Sequence, residues 1–147
     1  KAIRRQRQMC IRDSGLSVCD ILKISDNEIQ WFSGKEDYTE GIHMLQQTYQ
    51  IPLILLSMGK DGSRAYYKDM LVEVPAFLQK NTIETTGAGD TFGACCLHHI
   101  LKYGLDNLTK QQLKEMLTFA NAAASIITTR KGALRVMPSL EEIQRLL

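Results

Sequence analysis

An α/β layered fold is predicted by three features of the sequence. Strand and helix patterns alternate over the first part of the chain. The run Ile51-Pro-Leu-Ile-Leu-Leu-Ser57 is too apolar for a one-faced strand, and suits one buried on both faces as in a parallel sheet. After a hairpin, three helical patterns close the chain. A length of 147 residues suits one domain or a piece of a larger one, and 44% hydrophobic residues are enough for a core. That composition excludes a collagenous, low-complexity or wholly disordered chain.

Each element has a local reason. Val18 to Ile24 reads as a short buried strand. Ser25 meets Glu28 three residues on, a capping-box pattern that opens a short helix, and Gly34 closes it. Ile42, Leu45 and Tyr49 form the stripe of a second helix, with Met44 beside it. Pro52 is tolerable only near the start of its strand. Arg64 to Lys68 and Leu71 to Pro75 form a hairpin turning at Lys68-Asp69, with Ala65 and Tyr67 alternating against more polar neighbours. The next helix begins around Gly89 and ends at Gly104. Another starts at Thr109, with Gln112 completing its capping box, and carries Leu113, Met116, Leu117, Ala120, Ala124 and Ile127 at helical spacing. The last follows Pro138, with Ser139 and Glu142 in capping-box register and Leu140, Ile143 and Leu147 behind them.

The formal net charge of +2 is unevenly placed. Lys1, Arg4, Arg5, Arg7 and Arg12 against Asp13 give residues 1–14 a net +4, so residues 15–147 carry a net −2. The run Arg7-Gln-Met-Cys-Ile-Arg-Asp-Ser14 fits no helix or strand period, and it resembles the translation of a transposon-end adapter used in sequencing libraries. Residues 1–14 are therefore read as an artefactual or disordered leader, not as a basic arm for nucleic acid, and are set aside from the fold. No apolar run approaches the roughly 18 residues of a membrane span, the best being Ile51 to Met58. Cys10, Cys19, Cys95 and Cys96 show no C-x-x-C spacing, so reduced thiols and a cytoplasmic setting are expected.

The chemistry sits in Ile83-Glu-Thr-Thr-Gly-Ala-Gly-Asp-Thr-Phe-Gly-Ala94. Two glycines flank an alanine where a helix begins, so the amides of Gly87, Ala88, Gly89 and Asp90 converge on an anion with the helix dipole behind them. No Gly-Lys-Ser/Thr follows, so this is not a Walker A loop. The next glycine after Gly89 is Gly93, which does not match the dinucleotide fingerprint and disfavours a dinucleotide oxidoreductase. Asp90 would repel a phosphate held passively. A phosphotransferase uses such a carboxylate to accept the proton of an attacking hydroxyl. The plain alternative is an acidic first-turn residue favoured by the dipole, and spacing alone leaves the two open.

Thr85-Thr-Gly-Ala-Gly-Asp-Thr-Phe92 resembles the C-terminal signature of the ribokinase-like (PfkB) carbohydrate kinases. The resemblance extends in the family's order over residues 15–147. Asp20 to Glu28 resembles the segment ending in an N-x-x-E motif, with Ser25 in place of asparagine. Ser57-Met-Gly-Lys-Asp-Gly62 resembles the glycine turn on the nucleotide side. Phe119-Ala-Asn-Ala-Ala-Ala124 and Thr129-Arg-Lys-Gly-Ala133 resemble the nucleotide-side helix and the loop after it. The wording of Gly62 to Phe77 and of 83–92 looks most like fructokinases. The implied fold is the C-terminal portion of a ribokinase-like three-layer α/β/α sandwich. The family's sugar-binding aspartate, first signature and β-sheet lid lie outside this chain, so several strands of the central sheet would be missing and an edge exposed.

The resemblance implies roles residue by residue. Asp90 would be the catalytic base, and Gly87, Ala88 and Gly89 the anion hole for the γ-phosphate. Ser57, Gly59 and Gly62 would line the ATP site, with Asn121 near the base or ribose. Glu28 would belong to the network organising Mg²⁺ and phosphate through water. Glu84, Thr86, Ile127, Arg130 and Gly132 match the positions that bind K⁺ through a carboxylate and loop carbonyls, with Glu84 replacing the more usual aspartate. The implied reaction is ATP-dependent phosphorylation of a sugar hydroxyl, fructose above others, with this fragment inactive alone. Family dimers often pair through the lid, which implies a homodimer of the full-length enzyme. A non-catalytic nucleotide- or anion-binding module is the alternative.

Other residues read more plainly. Cys95, Cys96, His98 and His99 lack the second ligand pair of a zinc site, so two buried thiols and two solvent-facing imidazoles are expected. His43 is placed at the surface, and Trp31 and Tyr38 in core or rim with no basic surround. Lys60 and Lys131 read as solvated, and Arg130 is given a supporting role.

Overall fold

The computed structural model describes residues 10–147, so the first nine residues of the expected leader lie outside the described residues. Contacts divide the chain into two compact units, Lys1–Leu56 with Tyr66–Asp69, and Ser57–Ala65 with Met70–Leu147. Strands β1 (Ile21–Ser25), β2 (Leu53–Ser57), β3 (Ser63–Tyr67) and β4 (Met70–Val74) form one sheet in the order β1-β2-β3-β4.

The first unit opens with a helix, α1, described over residues 10–16. Residues 10–14 were expected in a leader without secondary structure, and here the structure differs. The stabilising partners are remote. Tyr49 Oη donates to Asp13 Oδ1 at 2.8 Å, Arg12 Nη1 reaches Phe32 O at 3.5 Å, and Leu16 is buried. Turns at Ser17 and Val18 then delay β1, so Val18, expected in the strand, is 80% exposed.

Helix α2 (Asp26–Ser33) begins and ends as its caps predict. The Glu28 carboxylate accepts from Ser25 N and Ser25 Oγ, both at 2.8 Å, and Gly34 closes the helix with φ of 69°. Helix α3 (Tyr38–Tyr49) is capped by Asp37, whose Oδ1 accepts from Glu40 N at 2.8 Å. Ile24, Ile29, Ile42 and Leu45, together with Leu53 to Leu56, are fully covered. Each such side chain contributes roughly 1.5–3 kcal/mol relative to exposure. Trp31 departs from its expected core or rim position. It is 64% exposed, and the Arg12 guanidinium sits 5.9 Å from its ring centroid, so a basic neighbour is present after all.

In the second unit, a single 3₁₀ turn (Gly59–Asp61) follows β2, closed by Met58 N donating to Gly62 O at 2.8 Å. Gly62 is at φ of 100°, and a Cβ there would lie 2.2 Å from Val74 O, so only glycine fits. The hairpin turns at Lys68-Asp69 with Lys68 at φ of 52°. Its first strand, β3, was expected to alternate, yet Ala65, Tyr66 and Tyr67 are all buried, whereas β4 does alternate.

Helices α4 (Ala88–Tyr103) and α5 (Lys110–Ile127) pack together, and α6 (Leu140–Leu146) packs on α5. Ala122 and Ala123 let the helices approach, and Ile143 joins them with Phe77, Cys95, Phe119, Ile126 and Leu146 around it. Burial pushes the Cys95 thiol up to about 11 and the Cys96 thiol higher still, so both are neutral thiols at ordinary pH. His98 is exposed as expected. His99 is not, since its Nδ1 lies 3.0 Å from Cys95 O and its ring packs 5.0 Å from Phe119.

Candidate functional site

A cleft of about 310 Å³ lies wholly within the second unit. Ser57, Gly59, Gly62 and Asn121, expected from the sequence on one side of a ligand, all line it, and so do Ala88 and Gly89 of the glycine turn. Residues from 57 to 128 thus meet in one concave surface of the size usual for small-molecule sites.

The local chemistry explains how. Ser57 ends β2, and the turn closed by Gly62 brings residues 59–62 back beside it. Asn121, 7% exposed on α5, donates through Nδ2 to Val74 O at 3.2 Å and to Pro75 O at 3.0 Å. Its amide nitrogen therefore braces the end of β4, and only the side-chain oxygen is left for a ligand. That brace directs residues 76–79 along the cleft wall, where Gln79 Nε2 donates to Ser125 Oγ at 3.1 Å. Ala76, Phe77, Leu78, Gln79 and Ser125 were given no role from the sequence, and for 76–78 the signal was an apolar run after Pro75; Phe92 ends the signature but was given no role either. Lys60, read as merely solvated, also lines the cleft while remaining exposed.

The glycine turn forms the start of α4. Gly87 is its N-cap at φ of 79°, and no side chain caps the helix. A Cβ on Gly87 would lie 3.1 Å from Ala133 Cβ and 3.2 Å from Ile127 Cδ1. Ala88 N donates to Thr85 O at 3.1 Å, so this amide, expected in the anion hole, is already engaged. The amides of Gly89 and Asp90 meet no acceptor among the described residues, as first-turn amides lack intrahelical partners. Asp90 is exposed at the third position of α4. Next to it, Thr91 is 3% exposed and its Oγ1 has no hydrogen-bond partner among the described residues.

A second group forms where residues 83–87 meet 128–133. Thr128 O accepts from Ile83 N at 2.8 Å and from Glu84 N at 3.3 Å, and Gly132 N donates to Glu84 Oε1 at 2.6 Å. Ile127 O accepts from Arg130 N at 3.1 Å, and the Ile127 side chain is buried. Of the five residues matched to a cation site, Glu84 and Gly132 are in direct contact, while Thr86 is exposed. The Arg130 side chain donates to Val136 O at 3.0 Å and pairs with Glu142. The Ser139 amide, then Arg130, hold the Glu142 carboxyl below the usual carboxylate range. Glu28 belongs to the first unit, where the Ser25 amide and hydroxyl hold its carboxyl low.

Residues 10–140 match the family model described as pfkB family carbohydrate kinase. A fructokinase of Klebsiella pneumoniae is 34% identical over 134 residues, covering 90% of this chain and 43% of its own length. Fructokinase-1 of Zea mays is 32% identical over 128 residues, 87% of this chain and 39% of the relative. Among solved structures, the fructokinase of Vibrio cholerae O395 with fructose, ADP and calcium bound superposes with a TM-score of 0.80 at 26% identity, over 90% of this chain and 42% of that one. Arabidopsis thaliana ribokinase complexed with ribose and ATP gives 0.79 at 24% identity, over 91% and 42%. These likenesses show the ribokinase-like α/β fold. The chain spans 39% and 43% of the length of the two curated relatives.

Proposed function

The chain belongs to the pfkB family of carbohydrate kinases, and on that premise we propose that the whole protein transfers the γ-phosphoryl group of ATP to a sugar hydroxyl, with fructose as the sugar. One observation carries the reading: at the start of α4, beside the cleft, amides without acceptors and the exposed carboxylate of Asp90 share a single helical turn. The fructose preference is supported by the curated relatives, which are fructokinases.

In this reading the nucleoside part of ATP fills the cleft between Gly62 and Asn121, and its phosphates run to Ala88 and Gly89. The sugar hydroxyl oxygen bonds to the γ-phosphorus as the bond to the β–γ bridging oxygen breaks. Its proton passes to Asp90, and ADP leaves. The transition state is loose, so orientation and the charge-stabilising amides of the turn contribute more than base strength. Gly87 keeps that turn open, because its φ and the nearness of Ala133 exclude a side chain.

Mg²⁺ would neutralise charge on the phosphates. It needs only one or two protein carboxylates when phosphates complete its shell, and no cluster of three His, Cys, Asp or Glu gathers among the described residues. Glu28 is the residue proposed for that network, the capping box using its Oε2. The carboxylate of Glu84, which accepts from Gly132 N, would supply one hard oxygen ligand to K⁺, with the loop positions Thr86, Ile127, Arg130 and Gly132 proposed to complete the set. A homodimer and a cytoplasmic setting belong to the same proposal. The four cysteines, all free, suit a reducing compartment.

Release of ADP by the whole protein on addition of fructose tests the activity. Asp90→Asn is expected to lower kcat at least about 10²-fold, the low end for a positioned general base. A variant that keeps most of its kcat would remove Asp90 from the role. Saturable ATP binding with no transfer to any sugar would instead favour a non-catalytic nucleotide-binding module. The 147-residue chain alone is expected to transfer nothing.

A further inference from the structure

We infer that Glu142, remote in sequence from the glycine turn, is a positioning residue for it, acting through Arg130. This inference rests on the kinase reading for its catalytic consequence but not for its structural one. The path is continuous within the second unit. Glu142 sits at the third position of α6, where its Oε2 accepts from Ser139 N at 2.8 Å, while Oε1 pairs with Arg130 Nη2. The same guanidinium donates to Val136 O at 3.0 Å, so one side chain ties the loop after α5 both to the segment before α6 and to α6 itself. That loop bears on the turn in three ways. Thr128 O receives the amides of Ile83 and Glu84, Gly132 N binds Glu84 Oε1 at 2.6 Å, and Ala133 lies against Gly87.

The arrangement has a physical rationale. Gly87 has no side chain of its own to define its place, and α4 has no capping side chain. A turn left open for a ligand must be held from outside, and here Ala133 of the 128–133 loop lies against it beside Ile127, the last residue of α5. That loop contains Gly132 at φ of 117°, a residue with little intrinsic preference for one conformation. The Arg130–Glu142 pair, with side chains 29% and 38% exposed, supplies the restraint. Its worth as a surface ion pair is small for overall stability. Its geometric consequence is larger, because catalytic groups lose rate steeply when misplaced.

Glu142→Gln in the whole protein tests this. Glutamine retains an acceptor for Ser139 N, so the capping box survives while the charge partner of Arg130 is lost. Amide hydrogen exchange is the first readout, and it needs no activity. Exchange is expected to rise about tenfold over 83–90 and 128–137 and to stay unchanged over 63–75, a local opening. The second readout is kinetic: kcat falls about tenfold with the KM for ATP within twofold. Ser139→Ala, which removes the hydroxyl at the start of α6 but leaves Arg130 paired, serves as the control and is expected to move neither readout.

Unchanged exchange over 83–90 in Glu142→Gln overturns the inference, as does an equal change in Ser139→Ala. So does a rise in the KM for ATP with kcat intact. Should the unsubstituted protein transfer no phosphate, the kinase reading fails, and the exchange pattern still decides the role of Glu142.

Discussion

Helices α4 and α5 pack against each other, yet they begin in opposite ways. At the start of α5 the chain closes on itself, since Thr109 Oγ1 accepts from Gln112 N at 3.2 Å and Thr109 N donates to Gln112 Oε1 at 2.9 Å. At the start of α4 there is a left-handed glycine and, among the described residues, no capping side chain and no partner for the buried Thr91 hydroxyl. A capped start is worth about 1 kcal/mol of helix stability. An uncapped start forgoes that and leaves amides for something else. Both helices line the cleft, but the locally incomplete start is the one that opens onto it, at Ala88 and Gly89, as local conflict with propensity is expected where function lies.

Three substitutions test that contrast, from the largest expected effect to the smallest. Gly87→Ala would force a Cβ into a left-handed position already crowded by Ala133 and Ile127. It is expected to cost about 2 kcal/mol of stability in a denaturant titration and to weaken nucleotide binding as well. Retained stability and binding would mean that the turn is not held as described. Thr109→Ala removes the cap that α5 supplies for itself and should cost about 1 kcal/mol, with the KM for ATP unchanged. A change in KM there would erase the distinction between the two helix starts. Thr91→Val replaces a buried, unpartnered hydroxyl with a methyl group, so stability should stay within about 0.5 kcal/mol of the parent or rise. A loss well beyond that would show that the hydroxyl has a partner in solution.

Short-range chemistry was the legible part. The pairs Ser25 with Glu28, Thr109 with Gln112 and Ser139 with Glu142 were visible as spacings, and each lies at a helix start. The Gly34 stop, the turn at Lys68-Asp69 and the glycine turn before α4 were legible for the same reason: a few adjacent residues determine the backbone there. Helix α1 was not legible, because Asp13, besides pairing with Arg12 next to it, is held by Tyr49, 36 residues away. Nor was the cleft wall at 76–79, which Asn121 directs across 46 residues by bonding Pro75 O. Tyr66 shows the same limit. A single-faced strand was expected, but the position is buried, its hydroxyl 3.4 Å from Thr39 Oγ1 and its carbonyl taking Gln46 Nε2 at 3.4 Å.

By itself, then, the amino-acid sequence determined where α2, α4, α5 and α6 start, that Gly34 and Gly104 end α2 and α4, that β2 is a fully apolar buried strand, and that a glycine turn with Asp90 opens α4. Each depends on hydrogen bonds and sterics among residues a few positions apart. The family resemblance had already assigned Ser57, Gly62, Asn121 and Gly89 to one nucleotide site; only the tertiary structure decided that residues 76–79 wall the cleft they share, that Ala88 N is already engaged, and that Arg130 links the loop beside Gly87 to α6. The cleft and the Arg130 link join segments far apart in the chain and exist only once the core has brought them together, whereas the engagement of Ala88 N by Thr85 O is a local detail of backbone geometry.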